Sequence, residues 1–111
     1  MQITTTNGST VNNQTFNAGK NYVNYNIEFV ANGTSETFDI THSRSTRLTR
    51  FAKIFLINDG TNPVVPPTEV SGVTIVPYGT DYQRNSRVQV SGLTSGRVYK
   101  LEITLLNDDQ D

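Results

Sequence analysis

Over residues 22–31 apolar and polar side chains alternate: Val23, Tyr25, Ile27 and Phe29 fall on one face, Asn24, Asn26 and Glu28 on the other. Successive side chains of a strand point to opposite sides, so a period of two predicts a half-buried strand with one wet face. Asn32-Gly33 follows, and over residues 36–42 the pattern resumes with Phe38 and Ile40 inward and Thr37, Asp39 and Thr41 outward. Two such runs about an Asn-Gly turn predict a hairpin. Residues 98–106 alternate most cleanly, with Tyr99, Leu101, Ile103 and Leu105 inward and Lys100, Glu102 and Thr104 outward. Val88 and Val90 mark a short strand after a polar loop over 79–87 that carries Tyr82. Residues 2–16 add one more strand, weakly patterned, through Ile3, Val11 and Phe16.

The stretch 50–57 breaks the rule of one wet face. Ala52, Ile54 and Leu56 share one side, Phe51, Lys53, Phe55 and Ile57 the other, and residues 54–57 are apolar throughout. Such a strand is covered on both sides or offers one side to a partner. Residues 61–69 contain Pro63, Pro66 and Pro67, which supply no amide donor and exclude a central strand, so this stretch is expected to be a loop. Residues 70–78 read as one strand with Val73 and Ile75 on one face and Pro77 at its end.

Alanine occurs only at 18, 31 and 52, and turn dipeptides recur at Asn7-Gly8, Asn32-Gly33, Asp59-Gly60, Tyr78-Gly79 and Ser95-Gly96. Many short strands between frequent turns predict an all-β fold, a two-sheet antiparallel sandwich of six to seven strands. The 111 residues suit one domain, expected over 1–106, with 107–111 as a flexible acidic tail. The chain has no Cys, so disulfides and thiolate metal sites are excluded. Its formal net charge of −1 argues against a dedicated nucleic-acid binder. No apolar run approaches the roughly 18 residues of a membrane helix, and residues 1–6 lack the basic and apolar regions of a signal peptide.

The segment Gly92-Leu93-Thr94-Ser95-Gly96-Arg97-Val98-Tyr99 precedes the cleanest strand. It resembles the tyrosine corner of Greek-key sandwiches, in which a Tyr ring packs inward and its hydroxyl bonds to backbone a few residues upstream. It is similar to the immunoglobulin-like and fibronectin type III pattern of Leu, Gly and Tyr, although Ser95 stands where Pro is frequent. The resemblance covers about residues 88–106 and implies one further strand after the Tyr-bearing one. Too few residues follow Leu106 to build it. The vacant edge would then be covered by the segment around Ile3 to Val11 or by a strand from a neighbouring subunit. In layout the chain also resembles small immunoglobulin-like structural proteins of tailed bacteriophages, of the tail-fibre adaptor and head-decoration type. It shares their shortness, Thr and Asn content, lack of Cys and terminal Gly-x-x-Tyr strand, without a motif from which functional residues transfer.

Few residues suggest chemistry. His42 has Asp39 and Ser43 for neighbours, but adjacent strand residues face opposite ways, and there is no Gly-x-Ser-x-Gly elbow. Glu28, Asp39, Glu69 and Glu102 occupy wet positions that would not raise a carboxyl pKa for acid catalysis. Asp108, Asp109 and Asp111 offer oxygens to Ca²⁺, but a mobile tail fixes too few of them without Asp59 or Asp81. The Asn-x-Ser/Thr sequons at Asn7, Asn13 and Asn32 are expected by chance in so Asn- and Thr-rich a chain. Arg44, Arg47, Arg50 and Lys53 recur every three residues. They form a solvated edge or a docking site for an acidic protein surface; nucleic acid is disfavoured because aromatic residues for base stacking are missing until Phe51.

The chain is accordingly expected to be a non-enzymatic structural protein of a virus particle, without cofactor or metal. Its partners would be neighbouring virion proteins in tail or capsid, in a homo- or hetero-oligomeric assembly formed in the host cytoplasm, with no nucleic acid and no membrane. The candidate contact residues are Arg44, Arg47, Arg50, Phe51, Lys53, Phe55 and Ile57. The alternative is a carbohydrate-binding or adhesion module, for which Tyr78 and Tyr82 are the available stacking platforms.

Overall fold

A computed structural model describes residues 2–18, 22–41, 46–70, 72–76 and 85–107; for strand residues 16–18, 22–23, 46–50, 76, 85–86 and 105–107 it describes the backbone alone. The described residues form nine strands: β1 (Gln2–Thr5), β2 (Thr10–Ala18), β3 (Tyr22–Val30), β4 (Ser35–Thr41), β5 (Thr46–Asn58), β6 (Pro63–Val70), β7 (Val73–Val76), β8 (Asn85–Ser91) and β9 (Val98–Asn107). All pair antiparallel, in a four-stranded sheet of order β1-β4-β8-β7 and a five-stranded sheet of order β2-β3-β9-β5-β6. The two sheets pack face to face over one core.

The alternation of the sequence sets that core. Tyr25, Ile27 and Phe29 of β3 pack with Ile54 of β5 and Tyr99, Leu101 and Ile103 of β9, against Phe38 and Ile40 of β4 and Val88 and Val90 of β8. Phe29 joins the layers: its ring meets Phe38 edge-on at 4.7 Å between centroids and stacks on Tyr99 at 5.8 Å. The Tyr99 hydroxyl accepts a hydrogen bond from the Thr94 backbone N–H at 2.8 Å, as expected of a tyrosine corner.

The strand count exceeds the six to seven expected, for reasons of backbone chemistry. Residues 2–16 hold two strands, β1 and β2, in different sheets. The proline-rich stretch is the edge strand β6 instead of a loop: prolines exclude a central position but not an edge. The expected strand 70–78 is broken at Gly72, whose φ of +100° lies in the left-handed region. A Cβ there would stand 2.6 Å from the Ser91 hydroxyl oxygen. Val70 ends β6 in one sheet and Val73 begins β7 in the other.

The hairpin expected about Asn32-Gly33 does not form. β3 pairs with β2 and β9, whereas β4 pairs with β1 and β8 in the opposite sheet. A two-residue type I′ hairpin turn needs positive φ at both central residues, and here Gly33 alone has it (φ +107°). The link is an arch between the sheets. Its polar groups are satisfied from other loops: the Ala31 N–H donates to the Arg97 carbonyl, Gly96 N–H to the Ala31 carbonyl and Leu93 N–H to the Thr34 carbonyl. The position beside β9 is filled from within the chain. β3 pairs with β9 in unbroken register from Tyr22↔Leu106 to Val30↔Val98; neither the segment around Ile3 to Val11 nor a neighbouring subunit takes that place.

One carboxylate belongs to this packing. Glu36 alternates with Phe38 and Ile40 on the inner side of β4 and is 1% exposed. It accepts hydrogen bonds from the backbone N–H groups of Asn7 (2.8 Å), Ser9 (3.1 Å) and Thr37 (2.9 Å). Burial pushes its pKa up, but these bonds, with one from the Ser9 hydroxyl, outweigh burial and hold it below the ordinary 4.5. Folding therefore favours the ionised form; its contribution is whole above about pH 4.5 and is lost as pH falls through the lowered folded value. Replacing Glu36→Gln turns an amide toward those donors and is expected to cost about 2–3 kcal/mol at neutral pH. Urea denaturation between pH 7 and pH 3 checks this: the wild-type midpoint falls steeply below pH 4.5, and the variant's falls less.

Candidate interaction face

The outer surface of the five-stranded sheet gathers three of the sequence candidates, Phe51, Lys53 and Phe55. In β5, Ala52 and Ile54 pair with Ile103 and Leu101 on the core side, so the residues between them point away from the core. Phe51 lies opposite Thr104, Lys53 opposite Glu102 and Phe55 opposite Lys100. The β3–β9 register extends these into rows: Phe51–Thr104–Asn24, Lys53–Glu102–Asn26 and Phe55–Lys100–Glu28. Thr15 and Asn13 of β2 continue the second and third rows, and Glu69 of β6 flanks Phe55.

Within this grid the polar groups partner one another. Lys100 Nζ stands 3.0 Å from Glu102 Oε2 and 5.4 Å from the centre of the Phe55 ring, which it partly covers. Thr104 Oγ1 donates to Asn24 Oδ1 at 2.8 Å. Phe51 is different: it is 67% exposed. It borders a shallow groove of about 320 Å³ lined also by Lys53, Glu102 and Thr104. A neighbouring groove along Asn24, Asn26, Glu102 and Thr104 continues it toward β3.

Other candidates fall elsewhere. Ile57 drops out of register with both β9 and β6 at a bulge and is half-buried, so it does not continue the row of Phe51, Lys53 and Phe55. Arg44 lies outside the described residues, as do His42, Ser43, Tyr78, Asp81, Tyr82 and residues 108–111. Arg47 and Arg50 belong to β5 by backbone, but their side chains are outside what is described. Asp39 is held by Arg87 through two bonds, from Nε to Oδ1 at 2.6 Å and from Nη2 to Oδ2 at 3.0 Å, across the β4–β8 pair. Asp59 Oδ1 accepts from the Thr61 and Asn62 backbone N–H groups and the Thr61 hydroxyl. Those bonds, Asn62 first, hold its pKa below the ordinary value and form the β5–β6 turn.

All three sequon amides are also in use: Asn7 Nδ2 donates to the Ser35 carbonyl at 2.7 Å, Asn32 Nδ2 to the Asn7 carbonyl at 2.6 Å and Asn13 Nδ2 to Glu28 Oε2 at 3.5 Å. Among the described residues no three His, Asp or Glu side chains converge as metal ligands, and no helix is long and apolar enough to cross a membrane. Comparison with protein-family models, curated proteins and solved structures finds no match to this chain.

The two phenylalanine environments predict opposite costs. Phe51→Ala is expected to change stability by less than about 0.5 kcal/mol, as at an exposed site. Phe29→Ala, in the core, is expected to cost about 3–5 kcal/mol. Thermal and urea unfolding of the two variants measure the difference directly.

Proposed function

We propose that this chain is a non-catalytic interaction module of a virus particle, which connects or decorates neighbouring virion proteins through the outer face of its five-stranded sheet. The observation that carries the interaction reading is Phe51, a large apolar ring 67% exposed on a sheet face, beside Lys53 and the Lys100-covered Phe55. A Phe so exposed contributes little to this fold. Covered by a partner, its ring gains about 2–3 kcal/mol, and the Lys53 and Glu102 charges beside it fix orientation. The virion setting comes from the likeness in layout to small phage structural proteins.

The immunoglobulin-like name for the sandwich belongs to the same proposal. The order β1-β4-β8-β7, the corner at Tyr99 and the adjacency of β5 and β9 support it. In that reading β3 takes the place of the strand that ordinarily follows the Tyr-bearing one. A second reading, a glycan-binding module, draws on the amides of Asn24 and Asn26 and the Thr104 hydroxyl in the groove beside Phe51. There a sugar ring would stack on Phe51.

Co-sedimentation of the purified protein with virus particles from its source separates these readings. The wild type is expected in fixed stoichiometry with the particle, and Phe51→Asp is expected to weaken its retention at least about tenfold, near 1.4 kcal/mol. Absence from particles together with Phe51-dependent retention on a glycan array would replace the virion reading by the second.

A further inference from the structure

Every open sheet exposes strand edges, and those edges are the places where chains join. Among the described residues the free edges belong to β1 and β7 in one sheet and β2 and β6 in the other. Three of the four carry a recognised guard. β1 and β7 are only four residues long. β6 contains Pro63, Pro66 and Pro67, which supply no N–H, and Glu69 near its end. β2 lacks these guards, and its one bulge, at Asn12, sits near its start. Its nine residues, TVNNQTFNA, include no proline, no glycine and no charge.

Asn12 is bulged out of register near the start of β2, but from Asn13 to Ala18 the pairing with β3 runs unbroken. Alternate residues of this stretch therefore turn their N–H and C=O groups away from β3, to a side where no described strand pairs with them. We infer that β2 is a self-association edge, at which two copies of this chain pair β2 with β2 antiparallel and merge their five-stranded sheets into one.

The composition of the edge selects a second copy over other occupants. Across a two-fold axis the strand meets itself in reverse, so any charged residue near the axis would face its own like. This strand has none to oppose. Asn13, Gln14 and Thr15 are exposed and carry amide or hydroxyl groups that both donate and accept, and so pair with their own kind. The formal net charge of −1 adds little repulsion between copies. The inference goes beyond the Phe51 face and stands without it, because β2 and β5 lie on opposite sides of β3 and β9.

Sedimentation equilibrium of the full chain from about 1 µM to about 1 mM brackets weak self-association. The expected result is a reversible approach to twice the 12.3 kDa of one chain. Asn13→Lys with Thr15→Lys is expected to raise the dissociation constant at least about tenfold, and Val65→Lys on the β6 edge to leave it unchanged. Amide hydrogen exchange on the wild type provides a readout that needs no variant: protection that grows with concentration should be confined to β2. A 12.3 kDa mass at every concentration overturns the inference. So does association lost in Val65→Lys but kept in the lysine variant of β2, or growing protection at β6 in place of β2.

Discussion

A carboxylate taken out of water is tolerated only where donors replace the water it lost, and Glu36 meets that condition by recruiting the chain around it. Its donors come from the crossing between β1 and β2 and from its own neighbour Thr37. Ser9, one of them, uses its hydroxyl oxygen to accept from the Asn32 backbone N–H in the crossing between β3 and β4. Asn32 returns an amide bond to the Asn7 carbonyl. The next ring of bonds, from Ala31 and Thr34 to residues 93–97, reaches the crossing between β8 and β9 and the Tyr99 corner. Three crossings at one end of the sandwich are thus tied together by hydrogen bonds, with a buried charge at the β1–β2 crossing. The apolar core holds the sheets together, but it is non-directional; the Glu36 network fixes which loop lies against which.

How much of this was legible depends on how local each cause is. The inward faces of β3, β4, β5 and β9 follow from a period of two, and the Tyr99 corner joins residues only five positions apart, so both could be read directly. The same alternation that sends Phe38 and Ile40 inward also sends Glu36 inward. What makes its burial tolerable, however, is a pair of N–H groups some 27 and 29 positions upstream, and no spacing rule reveals those. The Asn32-Gly33 hairpin is absent for a related reason: β3 pairs with the preceding β2 and the distant β9, and β4 with β1 and β8, both remote in sequence. Prolines at 63, 66 and 67 exclude a central strand but not an edge, so an edge strand stands where a loop was expected.

The candidate face repeats this division. That Phe51, Lys53 and Phe55 share a side of β5 is a matter of alternation, and it was legible. That the side is shared with Lys100, Glu102 and Thr104, and then with Asn24, Asn26 and Glu28, depends on the registers of three strands. Those registers separate Phe55, shielded by Lys100, from Phe51, which is 67% exposed. They also remove Ile57 from the row, because a bulge consumes it.

The placement of β9 has a consequence for how the protein is made. β9 lies between β3 and β5 in the five-stranded sheet, pairing Val30 with Val98 at one end and Tyr22 with Leu106 at the other. Ribosomes deliver the chain in order, so β3 and β5 emerge long before the strand that joins them. Until β9 arrives, Ile27, Phe29 and Ile54 lack much of their cover, and the β2–β3 and β5–β6 pairs remain separate pieces. Such long-range pairing must bear the entropy of loop closure before any contact rewards it, which slows folding into about the millisecond-to-second range. The sandwich therefore closes as a late and concerted event, and a nascent chain waits for β9 with its apolar faces unfinished.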